Sequence, residues 1–186
     1  HHNSSKLAPM LISPLFGLGI NVSYTTDTSL LNTETLSKYD GIIIYGNYDT
    51  ITPDKEKALK DFVEGGKALI PIHSASFCFQ NSDWYIQAVG GQFSTHKTGV
   101  FSAVTVNKNH PVMKGVNPFS SWDETYVHTK LNPDMTVLQE RVEGDLHEPY
   151  TWVRKQGKGR VFYTASGHND STWKQPDFIK LISNGV

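Results

Sequence analysis

Two short apolar runs with a helical segment between them constrain this chain more than any other feature of it. Gly41-Ile-Ile-Ile-Tyr45 and Ala68-Leu-Ile-Pro-Ile72 are strand-sized and continuously apolar rather than alternating, the pattern of strands covered on both faces of a parallel sheet. Between them, Thr52-Pro53-Asp54 supplies an N-cap and a proline for the first turn of a helix. Ala58, Leu59, Phe62 and Val63 recur at helical spacing, and Gly65-Gly66 stops it. Strand, helix, strand in this order makes a right-handed crossover. The expectation is an α/β fold: an open, mainly parallel sheet with helices on both faces.

The remaining elements are read against that unit. Ser4–Leu18 has apolar residues at helical spacing, Ile20–Thr26 reads as a short strand, and Asp40–Tyr45 as a fully buried one. After Gly91 the texture turns β-rich, with strands expected at 100–106, 125–129, 136–140, 150–154 and 160–164. Gln156-Gly-Lys-Gly159 reads as a hairpin turn and Asp177–Ile182 as a closing helix. With 186 residues and no linker-like stretch, residues 1–186 read as one domain. The opening His1-His2-Asn3 reads either as a tag remnant or as a loop following a preceding strand.

Composition excludes several classes of function. A net charge of −1 with 19% charged residues offers no basic track for a phosphate backbone, so no nucleic-acid partner is expected. No apolar run approaches the roughly 20 residues of a membrane span, so a soluble protein, cytoplasmic or periplasmic, is expected. Self-association is left open. The single cysteine, Cys78, lies between Phe77 and Phe79, surroundings that raise a thiol's pKa and favour packing over nucleophilic chemistry.

In an open parallel sheet, ligands bind beyond the carboxyl ends of the strands. Three polar clusters fall at such ends or would do so: His73-Ser74, Gly167-His168-Asn169-Asp170, and His1-His2-Asn3. Asp123-Glu124, just ahead of Tyr126 and His128, could serve as a general base, hold a histidine tautomer, complete a metal site, or be a solvated acidic turn. His96 follows the Gly90-Gly91 break and could reach back toward the cleft. His110 reads as a turn residue, and His147 has no assigned role.

The ordered set Tyr39-Asp40, Phe62-Val-Glu-Gly-Gly-Lys67, Ile72-His-Ser-Ala75, Val89-Gly-Gly-Gln-Phe93 with His96, His110-Pro-Val112, Asp123-Glu-Thr-Tyr126 and Gly159-Arg-Val-Phe-Tyr-Thr164 with Gly167-His168 resembles the ThuA-like family. The resemblance implies a flavodoxin-like sheet similar to class I glutamine amidotransferases, and a role in using trehalose and related disaccharides, including 3-keto forms. Where an amidotransferase carries its nucleophilic cysteine this chain has His73, so glutaminase activity is not expected. The resemblance points to a site in which His73, His168 and Glu124 are catalytic. Ser74, His96, Asp123, Tyr126 and Arg160 would contact the substrate, Arg160 as an anchor for carboxylates. A divalent metal such as zinc could sit on His2, His73 and His168, since imidazoles with a carboxylate suit such ions. The other reading is a sugar-binding module without turnover, with Trp84, Trp122, Tyr126 and Trp173 offering apolar faces to sugar rings.

Overall fold

A computed structural model describes residues 3–186, and the candidate ligand His2 lies outside them. The chain runs through α1 (Ser4–Gly17), α2 (Thr33–Leu36), β1 (Gly41–Ile44), α3 (Pro53–Glu64), β2 (Ala68–Pro71) and α4 (Asp83–Val89). It continues through β3 (Gln92–Thr95), β4 (Thr98–Phe101), β5 (Val104–Thr105), β6 (Ser121–Glu124), β7 (Val127–Thr129) and β8 (Thr136–Glu143). β9 (Leu146–Gln156), β10 (Gly159–Thr164), α5 (Asp170–Trp173) and α6 (Pro176–Gly185) follow.

The expected crossover is present at one edge of the main sheet. β1 and β2 pair in parallel, Gly41 opposite Ala68 and Ile44 opposite Pro71, with α3 carrying the chain between them. The main sheet has the order β1-β2-β10-β9-β8-β5. β10 joins β2 in parallel; from β10 onward the neighbours are antiparallel, and β9 turns back into β10 across Gly157, whose φ is 57°. Two small antiparallel ladders, β3–β7 and β4–β6, stand apart from this sheet.

Strand alternation sends side chains to two cores. Leu69, Val161, Tyr163, Tyr150 and Trp152 pack with Leu59, Phe62 and Val63 of α3 and Tyr85 and Val89 of α4. Ile70, Ile72, Phe162 and Leu138 face the other way, onto Leu7, Leu11 and Leu15 of α1 and Phe178, Leu181 and Ile182 of α6. The sheet is therefore sandwiched between helices, as a strand pair with no polar face requires.

Some expected elements differ. Ile20–Thr26 forms no strand: Ile20 and Val22 touch a core, and no strand among the described residues pairs with the segment. β1 is half-buried rather than fully buried, because it is the sheet's edge strand with β2 on one side only. The run 100–106 breaks in two, since Phe101 pairs with Ser121 whereas Val104 crosses to Glu140 on β8. The helix α4 and the strand β3 were not anticipated.

The second core depends on Phe178, fully buried and edge-on to Trp173 at 5.2 Å. Phe178→Ala should lower the unfolding free energy by about 3–5 kcal/mol in urea titrations. Phe16→Ala, at a side chain 70% exposed on α1, should change it by less than about 0.5 kcal/mol. Comparable losses at the two positions would contradict this burial pattern.

Candidate functional site

β2 ends at Pro71, Ile72 bridges to Thr164 of β10, and His73 comes next. His73 adopts φ 51°, a left-handed backbone that costs a non-glycine residue about 1–3 kcal/mol and needs support from its surroundings. Its Nδ1–H donates to the Ala165 carbonyl at 2.7 Å, and its own carbonyl lies 3.0 Å from the Tyr163 hydroxyl. A carbonyl can only accept, so Nδ1 carries a proton and Nε2 is the ring nitrogen turned toward Glu124 and Tyr126.

β10 delivers the second part. After Thr164 the chain bends through Gly167, at φ +135°, where an added Cβ would sit 3.2 Å from the His73 Cβ. That close approach brings the His168 ring to 5.6 Å from the His73 ring. The third part comes from β6. The Asp123 carboxylate is buried and accepts from the N–H groups of Glu124 (2.8 Å), Gly167 (2.9 Å) and His168 (3.0 Å) and from Thr172 Oγ1 (2.6 Å). Asp123 therefore faces away from the cleft and ties β6 to the loop after β10, a role different from the substrate contact expected of it.

Glu124, next in the strand, points the other way. Its Oε2 lies 3.3 Å from His73 Nε2, and its Oε1 lies 3.1 Å from His168 Nδ1 and 3.6 Å from His96 Nε2. Burial pushes the Glu124 carboxyl up, but the hydrogen bond and charge of His73, with His168 and His96, outweigh it and hold it below the usual value. Burial lowers His168, against the pull of Glu124, so its imidazole stays neutral at neutral pH. Tyr126 stacks on His73 with ring centres 4.4 Å apart and its hydroxyl 3.1 Å from Nε2. Burial holds that phenol far above its ordinary pKa.

Glu124, His168, His96 and Tyr126 line a cleft of ≈ 270 Å³ together with Ser74, Asn47, Phe77 and Phe93, and His73 is buried behind this wall against Glu124 and Tyr126. Ser74 Oγ donates to the Gly46 carbonyl at 2.7 Å, so it offers lone pairs to a ligand. One donor atom each from His73, Glu124 and His168 can be chosen so that all lie within 4.8 Å of one another. Imidazoles with a carboxylate are the donor types that suit zinc and other first-row ions. These three residues are the group, among the described residues, that could hold such an ion.

Beneath the cleft is a layer absent from the sequence reading. His128 is buried with Nδ1 3.3 Å from Glu148 Oε1 and Nε2 3.0 Å from the Tyr163 hydroxyl, which also reaches Ser76 Oγ at 2.9 Å. This layer fixes the hydroxyl that meets the His73 carbonyl. Asn47 and Phe93 were also missed. Asn47 follows a parallel strand at its carboxyl end, the same signal that singled out His73.

Other candidates lie elsewhere. Arg160 is exposed near the start of β10, opposite Ala68, at the end of the strand away from Thr164 and the cleft. It cannot anchor the site's carboxylates. Asp170 pairs with Lys6 at the surface. Trp173 is core, donating to the Gly167 carbonyl at 2.8 Å, and Trp84 donates to Glu64 at 2.8 Å. His110 caps a short turn and His147 pairs with Glu140. Burial pushes the Cys78 thiol up to about 11.

Fold and site together define the class: a mixed α/β domain whose ligand-sized cleft is walled by histidines where parallel strands end. The sequence matches the ThuA family, described as trehalose utilisation, across residues 1–186, and the chain belongs to that family. A ThuA-like protein of Bacteroides uniformis has a similar structure, with TM-score 0.82 and 22% identity over 98% of this chain and 82% of that one. A ThuA-like protein of Parabacteroides merdae aligns with TM-score 0.75 and 15% identity over 100% of this chain and 84% of its own. A protein of Salmonella typhimurium described as cytoplasmic aligns with TM-score 0.73 and 15% identity, covering 95% and 84% of the respective chains. No curated protein sequence matches significantly. No described helix is long and apolar enough to cross a membrane.

Two outcomes follow from the buried titratable groups. Burial depresses the His128 pKa below 6.5, so between its folded value and 6.5 the unfolded chain binds more protons and stability rises with pH. Unfolding free energy should decline as pH drops below about 6.5, with a smaller slope in His128→Gln; an unchanged slope would show that His128 carries none of it. Cys78, protonated at neutral pH and buried, should react with a disulfide reagent at pH 8 only after denaturation. Prompt labelling of the folded protein would overturn its placement in the core.

Proposed function

We propose that this chain acts on a small carbohydrate, a disaccharide such as trehalose or a 3-keto form of one, in the histidine-lined cleft, with a divalent metal such as zinc held by His73, Glu124 and His168. The observation that carries the reading is the meeting of these three side chains, from distant parts of the sequence, with donor atoms within 4.8 Å of one another, Glu124 and His168 lining the cleft and His73 buried just behind them. The family's description as trehalose utilisation supports the substrate class. Glu124 takes the place that His2 was expected to fill in the ligand set.

A bound divalent ion would polarise a carbonyl or hydroxyl oxygen and lower the pKa of a water. The chain's own groups do the rest. His73 presents Nε2 because Ala165 holds its Nδ1–H. His96, part-exposed beside Glu124, is the group able to exchange a proton with solvent and with a substrate hydroxyl. Tyr126 keeps its hydroxyl proton and donates a hydrogen bond to a ligand oxygen, Ser74 accepts one, and Asp123 holds Glu124 and His168 in register. Glutamine hydrolysis lacks a nucleophile, since the Cys78 thiol is buried and protonated. A sugar-binding module without turnover is the second reading, supported by the apolar walls that Phe77 and Phe93 give the cleft.

Zinc titration by calorimetry tests the ligand set. His73→Ala, Glu124→Gln and His168→Ala should each weaken binding by more than the roughly 10–100-fold that loss of an outer-shell partner costs, while Asp123→Asn should fall within that range. Affinity should drop on acidification as the imidazoles protonate. Undiminished zinc affinity in Glu124→Gln would remove the metal from this reading. Product release from disaccharides or 3-keto-disaccharides separates an enzyme from a binding module.

A further inference from the structure

The geometry points to a second sugar subsite outside the cleft, a platform formed by Trp122 and Val100, which makes the ligand a two-ring sugar with one ring in the cleft and the other on the indole. This inference rests on the carbohydrate reading above. In the β4–β6 ladder, Val100 is opposite Trp122 and Thr98 opposite Glu124. Residues two apart on a strand share a face, so Trp122 and Val100 stand on the same face as the Glu124 carboxylate. The Trp122 ring centre is 5.9 Å from that of His168, which places the indole directly beside the cleft wall.

Neither side chain serves a core. Trp122 is 39% exposed and Val100 72%, whereas Trp152 and Trp173 are buried. An exposed tryptophan next to an exposed valine leaves apolar surface in water at a cost that scales with its area. The cleft, at ≈ 270 Å³, is smaller than the roughly 300–1,000 Å³ of pockets that enclose drug-sized ligands. A cleft of this size suits one sugar ring, which leaves a second, linked ring to the surface beside it. Beyond His168, which lines the cleft, the Trp122 ring centre is only 5.9 Å away. A pyranose has a face of C–H groups and a rim of hydroxyls; the C–H face can lie on the indole while the rim stays hydrated, the use of an aromatic at a half-wet site.

Calorimetric titration of the zinc-loaded protein with trehalose and with glucose tests this. The wild type should bind trehalose at least about tenfold more tightly than glucose. Trp122→Ala should abolish that margin with glucose affinity unchanged, and Trp122→Phe should keep most of it. Equal weakening of both sugars by Trp122→Ala, or no change in either, overturns the subsite. So does a change in sedimentation coefficient on substitution, which would make the patch a contact between copies of the chain. If neither sugar binds the wild type, the carbohydrate reading falls and the subsite with it; loss of the selectivity result alone removes only the subsite.

Discussion

One buried carboxylate joins the two parts of the molecule that make the site. Asp123 lies on a small ladder outside the main sheet, yet its two oxygens collect N–H groups from Gly167 and His168, on the loop leaving β10, together with the Thr172 hydroxyl. A carboxylate taken out of water needs its lone pairs satisfied, and hydrogen bonds to a charged group contribute about 1.5–3 kcal/mol each. The satisfied arrangement forces the ladder and the sheet edge into a single register. With Asp123 held, Glu124 on the opposite face of the strand has nowhere to project except between His73 and His168.

The second constraint is backbone strain at His73. Its left-handed φ is held by the Ala165 carbonyl on one side and the Tyr163 hydroxyl on the other, and Gly167 leaves it room. Both holding groups belong to β10 or its exit, so the central strand pair that gives the fold its core also aims the imidazole. The layer of His128, Glu148 and Ser76 beneath it immobilises Tyr163 in turn. Side chains supported in this way lose little freedom on meeting a ligand.

Much of this was legible from local pattern. Continuous apolar runs and a capped helix identify β1, α3 and β2, and the rule that ligands gather at strand ends leads to His73 and His168. The errors have physical causes. Asp123 looks like a solvated acidic turn because nothing in a sequence records which distant N–H groups will meet a carboxylate. Arg160 lies outside the site because of strand direction: β10 runs parallel to β2, so a residue near its start lies at the end where Ala68 begins. Ile20–Thr26 has strand composition but no partner, and a strand exists only through its neighbour. Trp84 and Trp173 were grouped with Trp122, since composition cannot separate a tryptophan that fills a core from one left at the surface.

The position of β10 within the sheet has a consequence for biosynthesis. It lies beside β2 but follows every other strand in sequence, and the antiparallel pair that flanks it also comes from the later half. A chain emerging N-terminus first can form the β1-α3-β2 crossover early, but the inner edge of β2 then waits for a strand about ninety residues further on, a long-range closure that slows folding. Until then Leu69 and Ile70 lack the neighbours that cover them, and an unpaired apolar edge invites association with other nascent chains. Such a protein would lean on chaperones during synthesis, and truncation before β10 would remove the centre of the sheet rather than trim its margin.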